Sequence, residues 1–328
     1  MIDGMTHLPG QSPEIDAHSL RVVRAVHEHG SITAAAHSLG YSQPAVSQQL
    51  KKLEEQLGLA VVERIGRGVR LTEVGFVLAR HAVTVANALD AAAGEIAELQ
   101  GLRSGVVRLV AFPSASAALV PSLLARMKSQ HPQIGVTYLE AEPPEAVAAV
   151  RENLADLAIT FSYPGDRVDP HRESAQGLRL ATLRREEMML VLPVEHPLAG
   201  RATGTGLSDA SDEGAVDLAD LAQENWVAGC PRCRGHLLEL CDRRGFAPRI
   251  SYETDNVAAV FGLVEAGIGV ALLPALAIES AGVRSGVSIR ATAGHDQRIL
   301  HAVTAAGAER VPALAAALRV LVALTPAR

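Results

Sequence analysis

Apolar positions recur with two different periods along this chain, and the change of period divides it. Over residues 17–72 they fall at helical spacing in short runs broken by glycine. The runs predict a helix ending at Gly30, a second ending at Gly40, a third from Ser42 to Gly58, and then a glycine-punctuated basic hairpin. In the third run Val46, Leu50, Leu53 and Leu57 make one apolar stripe, while Pro44, Gln48, Lys51 and Glu55 lie roughly opposite. Ser42 is placed to cap that helix, and Pro44 falls in its first turn, where no amide hydrogen is needed. Ser31 and Thr33 are candidate caps for the second helix, and Thr72 for a fourth running to about Gln100 with Glu73 in its first turn.

Within the fourth helix Leu78, Ala82, Val85, Leu89, Ala92, Ile96 and Leu99 alternate spacings of four and three. A seam of this kind, about 40 Å long, predicts a helix-to-helix homodimer contact; packing against the helix's own chain is the competing expectation. Beyond the break at residues 101–105 the period becomes strand then helix, repeatedly: VVRLVAFP, LVPSLLARMKSQ, IGVTYLEA, PEAVAAVREN and DLAITFS form one set. MMLVLP, NWVAGC, CRGHLLELCDRRG, RISYET, NVAAVFGLVEAG and GVALLP form a second. Two such sets predict an α/β fold of two lobes with largely parallel sheets behind an all-α N-terminal part. Residues 1–16 read as a disordered extension, and residues 203–215 as a flexible acidic loop.

Composition sharpens this division. Residues 17–72 carry seven Lys or Arg against four acids, so this segment is +3 inside a chain of net charge −6. That asymmetry points to a polyanionic partner for the N-terminal part. Aromatics make up 3% of the chain, which leaves few stacking platforms for single-stranded nucleic acid. The N-terminus lacks a basic region followed by an apolar run, so no signal peptide is expected and the expected location is the cytoplasm. The apolar stretch from Val257 to Ile278 contains Glu265, glycines and Pro274, and it predicts a helix followed by a buried strand in place of a membrane span.

Two short helices joined by a tight turn, the second with an amide-rich leading face, are what a helix-turn-helix requires. Its N-terminus would bring backbone N–H groups to phosphates, Gln side chains can pair with adenine edges, and arginines 64, 67 and 70 would form a wing. A small helical protein-interaction module satisfies the same helix count. The run SITAAAHSLGYSQPAVSQQLKKLEEQLGLAVVERIGRGVRLTEVG resembles the winged helix-turn-helix of the LysR-type transcriptional regulators, in its Ala pair, its Ser-Gln-Pro-Ala-Val-Ser segment, the wing arginines and the Leu-Thr-x-x-Gly at the linker helix. HPLA at 196–199 and GIGVALLP at 267–274 follow in the family's order. Val61 and Val62 stand where members often carry Phe, and Gln48 where many carry Arg, so base preference does not carry over. The resemblance implies groove contacts for Gln43, Pro44, Ser47 and Gln48, with backbone contacts for Thr33 and Arg64, while Arg67 and Arg70, with Arg64, form a wing that would touch the backbone or the minor groove. It further implies a double-stranded DNA operator, a homodimer through the linker helix pairing into a homotetramer, RNA polymerase as a partner, no membrane and no enzymatic activity.

The same resemblance implies domains at 17–72, 73–104 and 105–328. The last is a periplasmic-binding-protein-like pair of lobes at about 105–180 with 296–328, and about 181–295, holding a small-molecule effector in the cleft between them. Strand ends are the default ligand edge of such sheets, which nominates Ser114, Ser116, Thr160, Phe161, Gly229, Cys230 and Pro231. No resident cofactor is expected. Asp255 and Asn256 read as helix caps. Cys230 and Cys233 stand three apart at a helix start flanked by Arg232 and Arg234, a setting that favours a thiolate, with His236 and Cys241 following. Three readings stay open for them: a redox pair, a metal site drawn from Cys230, Cys233, His236 and Cys241, or bystander thiols. A thiol-dependent oxidoreductase using Cys230 and Cys233 is the enzyme alternative, and it leaves residues 17–72 without a purpose.

Overall fold

The computed structural model describes residues 15–65, 68–99, 105–167, 175–200, 215–282 and 284–325. Helices α1 (Ala17–His29), α2 (Ile32–Leu39) and α3 (Gln43–Leu57) begin at Asp16, Ser31 and Ser42, whose side chains accept the amides of Ser19, Ala34 and Ala45. Ser31 is thus the cap of α2, and Thr33 lies within the helix. Val23, Val26, Ala35, Val46, Leu50 and Leu53 close an aliphatic core beneath the three. Strands β1 (Val62–Ile65) and β2 (Gly68–Leu71) form the antiparallel wing. The Glu54 carboxylate on α3 pins its start by accepting the Val61 and Val62 amides at 2.7 and 3.1 Å.

The Leu-Thr-x-x-Gly run has a physical cause. The Thr72 hydroxyl donates to the Ala60 carbonyl at 2.7 Å and accepts the Gly75 amide at 3.2 Å, starting α4 (Glu73–Leu99) against the wing. A Cβ at Gly75 would sit 2.3 Å from the Val61 carbonyl oxygen, so the helix approaches this closely only with glycine there. The expected seam along α4 divides in two. Leu78 and Ala82 are buried in the head's own core with Val85 at its edge, whereas Leu89 and Ile96 are 59% and 56% exposed. The first half of the seam therefore belongs to its own chain, and the second presents an apolar strip, Leu89 and Ile96, that is exposed among the described residues. The Leu99 side chain lies outside the described residues.

Lobe I is built from β3 (Gly105–Ala111), α5 (Pro113–Ala118), α6 (Val120–Gln130), β4 (Ile134–Glu140), α7 (Pro143–Arg151) and β5 (Leu157–Ser162). The long β6 (Leu178–Pro193) leads into lobe II, made of β7 (Asn225–Ala228), α8 (Pro231–Arg243), β8 (Arg249–Glu253), α9 (Val257–Glu265), β9 (Val270–Pro274), α10 (Ala275–Ala281) and β10 (Val287–Ala291). The chain returns to lobe I through β11 (Gln297–Ala305) and α11 (Pro312–Leu324). The strands run β4-β3-β5-β11-β6-β9-β7-β8, with β10 beside β6. Pairing is parallel among β3, β4 and β5 and among β7, β8 and β9, as the alternating pattern predicts. The two groups are joined by antiparallel β6 and β11. Along β6 the partner changes from β11 to β9 between Glu187 and Met188, which places the crossing several residues beyond the expected 181. Residues 257–278 become α9, β9 and part of α10, and no helix among the described residues is long and apolar enough to cross a membrane.

Candidate nucleic-acid face and interlobe junction

On the head, Thr33, Gln43, Pro44, Gln48, Arg64 and Arg70 are all exposed, and Ser47 is half-buried. Gln43 donates to the Ser47 hydroxyl at 2.9 Å, which fixes the leading turn of α3. Gln49, one residue past Gln48, turns inward and donates to the Ser19 hydroxyl at 2.8 Å, so the helical period divides two adjacent amides between surface and support. On the wing Arg70 grips Glu63 across the hairpin through Nε and Nη2 at 2.9 and 2.6 Å, whereas Arg64 lies opposite Val69. Arg67 is outside the described residues. Tyr41 carries no sequence signal, because no helical period reaches a turn residue. It is exposed between α2 and α3, where its hydroxyl accepts from Arg21 at 3.0 Å.

Where β6 and β11 cross between lobes, Glu186 stands opposite Arg298. Both are buried, and the guanidinium donates to Glu186 Oε1 through Nε at 2.7 Å and lies 2.6 Å from it through Nη2. Arg298 also donates to Ser114 Oγ at 3.1 Å and lies 4.9 and 4.8 Å from the Phe112 and Phe161 ring centres. The Leu276 amide satisfies the other Glu186 oxygen at 2.8 Å. Burial is the largest influence and works against the arginine's charge, yet Glu186, Tyr163 and Cys233 together outweigh it and the pKa is raised. Of the nominated cleft residues, the structure brings Ser114 and Phe161 to this pair. Thr160, Phe161 and Cys230 are buried, so the junction is closed over them. Ser116 is elsewhere: its hydroxyl donates to the Ala111 and Phe112 carbonyls, the local bond a serine one turn into a helix readily makes. An open cavity of about 780 Å³ lies apart from the junction, between α4 and lobe I, with Asn87, Arg108, His131 and Arg319 among its lining.

Facing Phe161 across the junction is the start of α8. Cys230 is its N-cap, Pro231 is exposed in its first turn, and the Cys230 and Cys233 sulfurs are 2.9 Å apart. Their pairing splits the two thiols. It holds Cys233 below the ordinary thiol range, helped by a hydrogen bond from the Tyr163 hydroxyl at 3.5 Å and by the charge of Arg298. The same pairing, with burial, pushes Cys230 up. The flanking arginines predicted to do this are engaged elsewhere: Arg232 lies over the Phe161 ring and Arg234 is 3.0 Å from Glu253. Tyr163 also stacks on His236 at 3.8 Å, and His236 Nδ1 is 2.8 Å from Asp166. Lobe I thereby straps itself to α8. His236 is committed to that strap, and Cys241 is buried in the core of lobe II, where desolvation pushes its thiol up to about 12. The metal set expected from Cys230, Cys233, His236 and Cys241 is therefore not assembled.

Two carboxylates take the place of His236 and Cys241 beside Cys230. Glu142, the residue before α7, and Asp255, before α9, each bring an oxygen within 4.8 Å of the Cys230 sulfur and of each other. Asn256 alone caps α9, accepting the Ala258 and Ala259 amides, so Asp255 is released from the capping role expected of it. Burial is the main cause that raises the Glu142 pKa. Neither residue has a sequence signal as a partner of Cys230, since they lie 88 residues before it and 25 after it.

The chain matches two protein-family models: one described as the LysR substrate binding domain, over residues 100–325, and one described as a bacterial regulatory helix-turn-helix protein, lysR family, over residues 17–76. Among curated relatives, the transcriptional dual regulator GltC of Bacillus subtilis is 29% identical over 264 residues, covering 79% of this chain and 81% of the relative. The HTH-type transcriptional regulator BudR of Raoultella terrigena is 29% identical over 260 residues, covering 78% and 83%. Among solved structures, a full-length OxyR point variant from Pseudomonas aeruginosa superposes with a TM-score of 0.65 at 21% identity, covering 95% of each chain. At that identity the likeness concerns the fold.

Proposed function

The chain belongs to the LysR family of bacterial transcriptional regulators, and we propose that it reads a two-fold-symmetric DNA operator as a homodimer under the control of the interlobe junction. The single observation that carries the DNA reading is the exposed set Gln43, Pro44 and Gln48 at the leading end of a helix whose opposite stripe is buried. In the major groove Gln48 reads base edges, while Thr33 and Arg64 contact phosphates. Arg70, already neutralised by Glu63, contributes less than Arg64. The exposed strip of Leu89, Ala92 and Ile96 supports the dimer seam, and two heads on one seam match two half-sites. Such a protein works in the cytoplasm alongside RNA polymerase.

Control is proposed to run through β6 and β11, because both strands bridge the lobes and the Arg298–Glu186 pair sits at their crossing. A ligand shifts operator binding only by favouring one arrangement of the lobes over another. The 2.9 Å thiol pair with a depressed Cys233 favours a second reading, in which an external oxidant takes two electrons from the pair and forms a Cys230–Cys233 bond. The contact roles are tested by titrating operator DNA at several salt concentrations. Gln48→Ala is expected to change sequence preference, and Arg64→Ala to weaken all sequences alike and reduce the salt slope by about one. Equal effects of both variants on every duplex would overturn the assignment.

A further inference from the structure

The donors gathered at the junction form a set that none of the comparisons assigns. We propose that Glu142, Cys230, Cys233 and Asp255 bind a divalent cation of the zinc class and that this cation joins the two lobes. The inference rests on the reading of the junction as the control site, and it gives that site a ligand.

The geometry supplies three mutually adjacent donors, the Cys230 sulfur and one oxygen each from Glu142 and Asp255, all within 4.8 Å of one another. The Cys233 sulfur stands outside that mutually adjacent set but is 2.9 Å from the Cys230 sulfur, and it closes on the ion as the fourth donor. A tetrahedral zinc site with bonds of about 2.0 Å to oxygen and 2.3 Å to sulfur has edges of roughly 3.3–3.8 Å. Loading therefore shortens the separations within the Glu142, Asp255 and Cys230 set by up to about 1.5 Å and parts the sulfurs by about 0.9 Å. Gly229 borders the set, its hydrogen side facing both the Asp255 carboxylate and the Cys233 side chain. Glu142 faces this set with its Oε2 buried and without a hydrogen-bond partner among the described residues. A buried carboxylate oxygen left this way is costly, and a cation satisfies it.

Donor chemistry selects the metal. Two sulfurs disfavour magnesium and calcium, which take oxygen ligands, and two carboxylates disfavour copper(I), which prefers sulfur alone. Zinc accepts both. Position gives the consequence: Glu142 stands on lobe I, and Cys230, Cys233 and Asp255 stand on lobe II, so the bound ion crosses the junction strapped by Tyr163 and Asp166. Cys230 loses its proton on binding, and lower pH competes with the metal.

The test uses the reduced full-length protein, titrated with zinc(II) against a chromophoric chelator and separately with cobalt(II) to read thiolate coordination in the near ultraviolet. One ion per chain is expected, with cobalt–thiolate bands that weaken in Cys230→Ser and disappear when Cys230→Ser and Cys233→Ser are combined, and affinity at least about tenfold weaker in Glu142→Gln and in Asp255→Asn. Asp255 is exposed, so Asp255→Asn leaves the fold intact if the Cys230 variant does not. Absence of saturable binding, or affinity unchanged in both carboxylate variants, would overturn the proposal. Operator binding by the metal-free protein is measured in parallel: a specific site retained without zinc binding sinks the metal inference alone, whereas no specific site under any condition sinks the regulator reading.

Discussion

The head and the interlobe junction handle polar groups in opposite ways. The head packs a small aliphatic core and turns Gln43, Gln48 and Arg64 outward, where they are available to a partner. The junction turns Glu186, Arg298, Tyr163 and two thiols inward, where each is satisfied or shifted by the others. A surface meant for a polyanion needs exposed donors held by caps and stripes, which are local features. A surface meant to hold two lobes in one of several arrangements needs groups whose partners come from distant strands.

The sharpest way to break this contrast is Arg298→Ala. It leaves Glu186 buried without its partner and is expected to cost the effector domain about 3–5 kcal/mol, read as a lowered denaturation midpoint. Replacing both residues with apolar ones of similar volume is expected to cost much less. A loss below about 1 kcal/mol from Arg298→Ala would mean that water reaches the pair and the junction is open. On the head, Gly75→Ala drives a methyl toward the Val61 carbonyl and is expected to cost about 1–3 kcal/mol through the wing, despite alanine's better helix propensity. A neutral result would show that the wing and α4 are not locked together.

The smallest effect is chemical. With its pKa depressed, Cys233 carries more thiolate at neutral pH than an ordinary cysteine, so alkylation is expected at Cys233 first. Its rate should level off at lower pH than the ordinary value of about 8.5. Cys230 and Cys241, both raised, react last. Tyr163→Phe removes one hydrogen bond to the thiolate and is expected to slow Cys233 alkylation at neutral pH by about threefold. Mapping the modified residues by mass spectrometry checks the order, and faster labelling of Cys230 would reverse the assigned polarity of the pair.

These two regions also differ in how far the sequence discloses them. Ser31, Ser42 and Thr72 act as caps within three residues of what they cap, and the Val46-Leu50-Leu53 stripe is read from helical spacing, so the head is legible residue by residue. The parallel strand groups are legible for the same reason. The junction is not, because Glu186 and Arg298 meet 112 positions apart through antiparallel pairing of β6 with β11. The charged and polar residues Gln297, Arg298 and His301 interrupt the apolar run in β11, and periodicity alone passes over that strand. Cys230 and Cys233 announce themselves by spacing, but their partners do not: nearness in sequence points to His236 and Cys241, and the fold supplies Glu142 and Asp255. The seam on α4 is legible as a period, whereas its division between own chain and partner depends on the position of the head.

The central claim, that α3 of this protein reads an operator, is tested most directly by selecting bound fragments of genomic DNA with the full-length protein and with Gln48→Ala. The account predicts one discrete, two-fold-symmetric site for the native protein and an altered preference within each half-site for the variant. The absence of any enriched sequence, or an identical site for both proteins, would contradict it.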